Sequence, residues 1–175
     1  MRGSIAPALT MLAAALAIGG CGGAAQTNHP TASRTTSTST TPDPATKLEG
    51  AIRAALHENA RVSDFVLEHN AIPRWAPRST AGPALAGLRT AAAQRRRAGV
   101  HVRVLSSSVQ VRSVRLEPSY LAASAMVTER SRVIVVNLKG RSLGKPTKLT
   151  EPALIELRRH GNKATFVVWK VTAVK

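Results

Sequence analysis

Between Leu48 and Val66 the apolar side chains Leu48, Ile52, Ala55, Leu56, Val62, Phe65 and Val66 recur three or four residues apart, while Arg53, Glu58, Arg61, Asp64 and Glu68 fall mostly off that stripe. This is the period of an amphipathic helix, predicted to run to about His69, where Asn70 and Pro73 end it. Thr46-Lys47-Leu48-Glu49 matches the capping-box spacing, in which a hydroxyl and a carboxylate each satisfy one free backbone N–H at the helix start. Ile72 to Gly82 reads as a loop whose Trp75 packs back on the domain. A second helix then opens at Pro83 and passes through Leu85, Leu88 and Ala92 to Ala98. Gly99 suits the left-handed position that follows, and Arg95, Arg96 and Arg97 sit in the last turn beside exposed carbonyls.

From Val100 the period changes to two. Val100, Val102 and Val104 alternate with His101 and Arg103, and Val109 and Val111 alternate with Gln110 and Arg112. The parity breaks predict bulges around Ser106 to Ser108 and near Ser113. Glu117-Pro118-Ser119 is a turn, Leu121 to Val136 a second long strand, and Lys139 to Lys148 a Gly- and Pro-broken loop. Two last strands, about Pro152 to Arg159 and Ala164 to Val174, flank a turn at His160-Gly161-Asn162-Lys163. Ala153, Ile155 and Leu157 on one, and Val167, Trp169 and Val171 on the other, are expected to face the core. Two helices followed by such a meander predict an α+β fold, with the helices packed on one face of a curved antiparallel sheet of about four strands.

The N-terminus reads differently. One charge, Arg2, precedes an apolar run from Ile5 to Ile18 that is too short for the roughly 20 residues of a spanning helix, so residues 1–20 read as a cleaved export signal. It ends in Ala17-Ile18-Gly19-Gly20-Cys21, which resembles the lipobox of bacterial lipoproteins. The resemblance implies that Cys21 is diacylated and becomes the new N-terminus, anchoring the protein on the outer face of the cytoplasmic membrane; the alternative is an ordinary signal with a chance cysteine. Cys21 is the only cysteine in 175 residues, which excludes an internal disulfide framework. From Ala24 to Thr46, 14 of 23 residues are Thr, Ser or Pro and no aliphatic side chain exceeds alanine, so residues 21–46 read as a lipidated, disordered tether. A flexible chain of that length holds residues 47–175 roughly 25 Å from the bilayer.

The helix pair ending in Arg-Arg-Arg-Ala-Gly-Val, the strand Met126 to Arg130, and the hairpin from Ile155 to Trp169 resemble the NTF2-like, or cystatin-like roll, superfamily. Enzymes of that superfamily place an acid inside the cone of the curved sheet, and this implies one candidate cavity acid here, Glu129. Glu129 continues the face of Leu121, Ala123, Ala125 and Val127; a bulge before Val133 would instead turn it outward to Arg130 or Arg132.

Other chemistry is absent from the sequence. His57-Glu58-Asn59-Ala60-Arg61 starts like a helical zinc motif, but Arg61 stands where the second ligand belongs. Gly140 to Thr147 departs from a phosphate-binding loop in spacing and by Pro146. No metal site, cofactor or catalytic constellation is predicted.

Charge supplies the remaining signal. Lys and Arg number 25 against nine Asp and Glu, a net +16. A field of that size favours polyanions, and the expected anion contacts are Arg95, Arg96, Arg97, Lys139, Arg141, Lys145 and Lys148. Five aromatic residues leave no stacking platform for nucleic acid. The sequence therefore predicts a non-catalytic, membrane-anchored extracytoplasmic domain that contacts an anionic lipid, a cell-wall polymer or an envelope protein. The alternative is a small-molecule-binding or isomerase/hydratase-like enzyme using the cone cavity.

Overall fold

A computed structural model describes residues 44–161 and 165–174; the proposed signal, Cys21 and most of the tether lie outside them. The element order is α1 (Pro44–His69), a 3-10 turn (Ala76–Arg78), α2 (Gly82–Arg97), β1 (Val100–Leu116), β2 (Ala122–Asn137), β3 (Thr147–Arg159) and β4 (Phe166–Ala173). The strands form one antiparallel sheet in the order β1-β2-β3-β4, a meander. The coarse α+β reading is therefore the observed architecture.

Local differences have local causes. α1 starts at Pro44, two residues before Thr46, because proline is preorganised for a first helical turn; Thr46 is thus helical and not the cap. Glu49 pairs with Arg53 one turn on, at 2.7 Å, instead of reaching back. α2 ends as expected, with Gly99 at φ +67°. β3 begins at Thr147, inside the stretch read as loop, since Thr147 and Lys148 pair with Val133 and Arg132.

Leu48, Ile52 and Leu56 from α1 pack on Ala123, Ala125 and Val127 of β2, on Ala153, Ile155 and Leu157 of β3, and on Phe166 and Val168 of β4. Val109, Val111, Val114 and Leu116 of β1 pack partly buried against the same cluster. A smaller cluster joins Val62 and Val66 of α1 to Ala76, Leu85 and Ala92, with Trp75 half-buried against it. On β4 the expected inward set is corrected. Phe166 and Val168, rather than Val167 and Trp169, join the core cluster, because a register shift at Glu156/Leu157 resets the alternation at Trp169; Val171, opposite the buried Ile155, is still 38% exposed.

The edge of β4 is partly covered. Val168 N–H donates to the Ser79 carbonyl at 2.7 Å and its carbonyl accepts from Ala81 N–H at 2.8 Å. Thr80, fully buried in that strap, donates its hydroxyl to Asn59 Oδ1 of α1 at 2.8 Å. β1, the other edge, carries two register shifts, between Val104 and Ser106 and between Val111 and Ser113. These are the bulges the parity breaks predicted, centred on Leu105 and Arg112.

Candidate anion-binding surface

Because β2 and β3 pair without a shift from Ala122 to Val133, strict alternation divides their side chains between two faces. Val127, Glu129, Ser131 and Val133 follow the buried helix-facing side, and Thr128, Arg130 and Arg132 the outer side. The bulges fall on β1, so Glu129 is not turned outward. Burial raises its carboxyl above the ordinary range, and Glu151, directly opposite on β3, and Asp64 of α1 push the same way. Asp64 is also raised, chiefly by burial, with a hydrogen bond from Ser107 opposing and Glu68 adding to the rise. Glu68 itself accepts the Val104 N–H at 3.2 Å. These acids line the seam between helix and sheet, and Glu129 lines neither of two clefts among the described residues.

The larger of these, apolar and of about 380 Å³, lies along α1 at Ala51, Ala54 and Ala55 and is bordered by Ser79 and Phe166. The other, of about 320 Å³, is formed by three strands. Register places Ser106, Arg132 and Lys148 side by side in one row, and Ser108, Arg130 and Thr150 in a second row two residues away. All six line the cleft, with Ser107, Ser131 and Leu149 between them. The inner-face residues of the flanking rows, Val109, Glu129, Val133 and Glu151, do not line it, which puts the groove on the outer face. Arg112, a bulge residue, reaches the same face and donates from Nε to Thr128 Oγ1 at 3.3 Å.

Arg130, Arg132 and Lys148 are exposed, and none enters the ion pairs found among the described residues, Glu49–Arg53, Glu58–Arg61 and Glu156–Lys170. Arg132 and Lys148 are direct cross-strand partners, and like charges in that position destabilise a sheet. Three cations beside three hydroxyls on a concave surface form a ready receptor for oxyanions: guanidinium forks bind them in pairs of hydrogen bonds, and the hydroxyls donate to what remains.

The residues expected to meet anions divide by position. Arg95 does not qualify: its Nε donates to Asn70 Oδ1 at 2.9 Å and its Nη2 to the Val66 carbonyl at 3.1 Å, and burial lowers its pKa. It ties α2 to the end of α1. Arg96 and Arg97 stay exposed, and β1 begins just after them at Val100, which pairs with Asn137. The hairpin carrying Lys139 and Arg141 turns at that same residue, so four of the expected contacts gather at one end of the sheet. Lys148 belongs to the groove. The sequence pattern offers Arg130 and Arg132 only as outward partners for Glu129 and assigns them no site; the alternation of Thr128, Arg130 and Arg132 opposite Lys148 is the available signal, and it needs the β2–β3 register.

Comparison with known proteins gives a fold-level likeness. No protein-family model matches the chain, and no curated protein matches it. Among solved structures, the intermembrane space region of the chloroplast protein ARC6 superposes with a TM-score of 0.60 at 12% identity, covering 70% of this chain and 92% of that one. At that identity the likeness concerns the fold.

Proposed function

We propose that this protein is an extracytoplasmic lipoprotein, anchored through Cys21 to the outer face of the cytoplasmic membrane, whose folded part is a non-catalytic NTF2-like binding domain. In this reading the sheet groove holds the oxyanions of an envelope polymer. The observation that carries it is the convergence of Arg130, Arg132 and Lys148, unpaired, with Ser106, Ser108 and Thr150 in one cleft. The lipobox-like ending at the lone cysteine supports the anchor. The order of two helices before a four-stranded meander supports the roll, and the ARC6 intermembrane space region is a neighbour in fold.

Two measurements test this. Radiolabelled palmitate should be retained by the wild type and lost in Cys21→Ser; equal labelling of both, or of neither, overturns the anchor. Fluorescence anisotropy with a labelled linear polyphosphate should show binding that weakens linearly in log–log form with salt, as expected when cations displace condensed counterions. Arg130→Glu with Arg132→Glu should weaken that binding at least tenfold. Unchanged affinity in the double variant removes the groove from the proposal.

A further inference from the structure

Beyond the groove, we propose that the basic end of the sheet is a bilayer-docking surface, in which the β2–β3 hairpin tip seats its leucines among anionic lipid headgroups. Leu138 and Leu143 are 69% and 55% exposed, among the most exposed large apolar side chains of the described residues. They are interleaved with Lys139 and Arg141, and no acid lies between Glu129 and Glu151. Arg96 and Arg97, at the C-terminus of α2, arrive at the same end through the pairing of Val100 with Asn137. Exposed leucines within a dense, uncompensated basic patch match an anionic interface, where apolar tips are buried and each nearby cation adds attraction.

The tip is built to enter such an interface. Asn137 Oδ1 accepts the N–H groups of both Lys139, at 3.0 Å, and Arg141, at 2.9 Å. Its carbonyl accepts Gly140 N–H, and its own N–H donates to the Arg141 carbonyl. The backbone donors of Lys139, Gly140 and Arg141 are therefore already satisfied, which removes part of the desolvation penalty that a loop meets in an apolar medium. Gly140, at φ +78°, permits this tight closure.

A lysine- and arginine-rich surface whose hairpin and α2 contribute no acid commits the occupant to an anionic bilayer. A soluble polyanion would satisfy the cations but leave Leu138 and Leu143 in water. The docking does not require lipidation of Cys21: the 22 residues from Gly22 to Asp43 reach at most about 75 Å, enough to pass the roughly 39 Å length of α1 if the anchor is present.

The test uses the full chain on a Cys21→Ser background, with an environment-sensitive fluorophore attached at Ser142→Cys, which keeps both leucines and all the cations. A second labelled protein carries Ser119→Cys, in the turn at the opposite end of the sheet. With phosphatidylglycerol vesicles, the label at position 142 should shift to the blue and be quenched by brominated acyl chains. The label at 119 should do neither, and phosphatidylcholine vesicles should leave both unchanged. Leu138→Ser with Leu143→Ser should abolish the quenching, and Lys139→Glu with Arg96→Glu should weaken association at least tenfold, given about fivefold per cation near a charged membrane. No shift at 142 on anionic vesicles overturns the proposal, as does an equal shift at 119 or an equal response to phosphatidylcholine. Because the readout is local to the tip and Cys21 is absent, a negative result here leaves the anchor and the groove to their own tests.

Discussion

Two glycines of α2 make opposite predictions from the same substitution. Gly82, at φ +53°, lies under the Trp169 indole; a Cβ there would stand 2.7 Å from Cδ2 and Cε3 and 2.8 Å from Cε2. Ordinary carbon contacts lie at about 3.5–4.0 Å, so Gly82→Ala must push the ring roughly 1 Å outward. It also forces an L side chain into the left-handed region, at about 1–2 kcal/mol. Displacing the indole loosens the Arg158 guanidinium that stacks 4.1 Å from its centroid, a further loss of about 0.5–1 kcal/mol. The sum is about 1.5–3 kcal/mol. For a domain of this size that lowers Tm by roughly 5–12 °C. Gly87, in the middle of α2, has ordinary helical φ, and a Cβ added to it would meet nothing within 4 Å. Gly87→Ala should therefore stabilise by about 0.5–1 kcal/mol, through helix propensity and a less entropic unfolded chain. Thermal unfolding followed by circular dichroism measures both. If Gly82→Ala melts at or above the wild type, Trp169 does not pack across the start of α2.

Glu129→Gln tests the helix–sheet seam. A carboxyl whose pKa is raised by folding costs nothing while it is protonated in both states and lowers stability as pH climbs from the ordinary glutamate range through its folded pKa. The Tm advantage of the glutamine variant should therefore be absent at low pH and grow towards neutrality; a pH-independent difference refutes the burial of this acid. Arg95→Ala should destabilise by about 1–2 kcal/mol in urea melts by orphaning Asn70 Oδ1 and leaving the Val66 carbonyl with the Asn70 N–H alone, whereas Arg97→Ala should stay within about 0.5 kcal/mol. Lys148→Thr should raise stability at low salt by about 0.2–1 kcal/mol, by relieving the like-charge pair with Arg132, and the gain should shrink as salt is added.

Much of this fold was legible because its elements depend on local periodicity. The stripe from Leu48 to Val66, the triple arginine before Gly99, and the parity breaks near Ser106 and Ser113 each report a neighbourhood of a few residues, and each of these features is where the pattern put it. What the sequence concealed depends on partners distant in the chain. Val167 and Trp169 alternate as a core face should, yet a shift against Glu156 and Leu157 gives that face to Phe166 and Val168. Arg95 looks like its two neighbours until α1 supplies Asn70 and the Val66 carbonyl as acceptors 25 and 29 residues away. The groove was hidden for the same reason. Arg132 and Lys148 are separated by a hairpin, and only pairing shows that their charges oppose one another. The strap at Ser79 to Ala81 was hidden likewise: in a region read as plain loop, it bonds to both backbone groups of Val168, about 90 residues on.

The bulges at Leu105 and Arg112 have a consequence for how copies of the protein coexist. β1 is the border of the sheet with no strand beside it among the described residues, 17 residues long and capped only at Val100 and Val104 by Asn70 and Glu68, and a straight border of that length is a template on which another molecule's border can zip up backbone to backbone. Two kinks break the template into short, misaligned lengths, and Arg103, Arg112 and Arg115 along it repel an identical strand. Crowded molecules are thereby kept from joining edge to edge into fibrils, and deleting the two kink residues would restore the straight, adhesive margin.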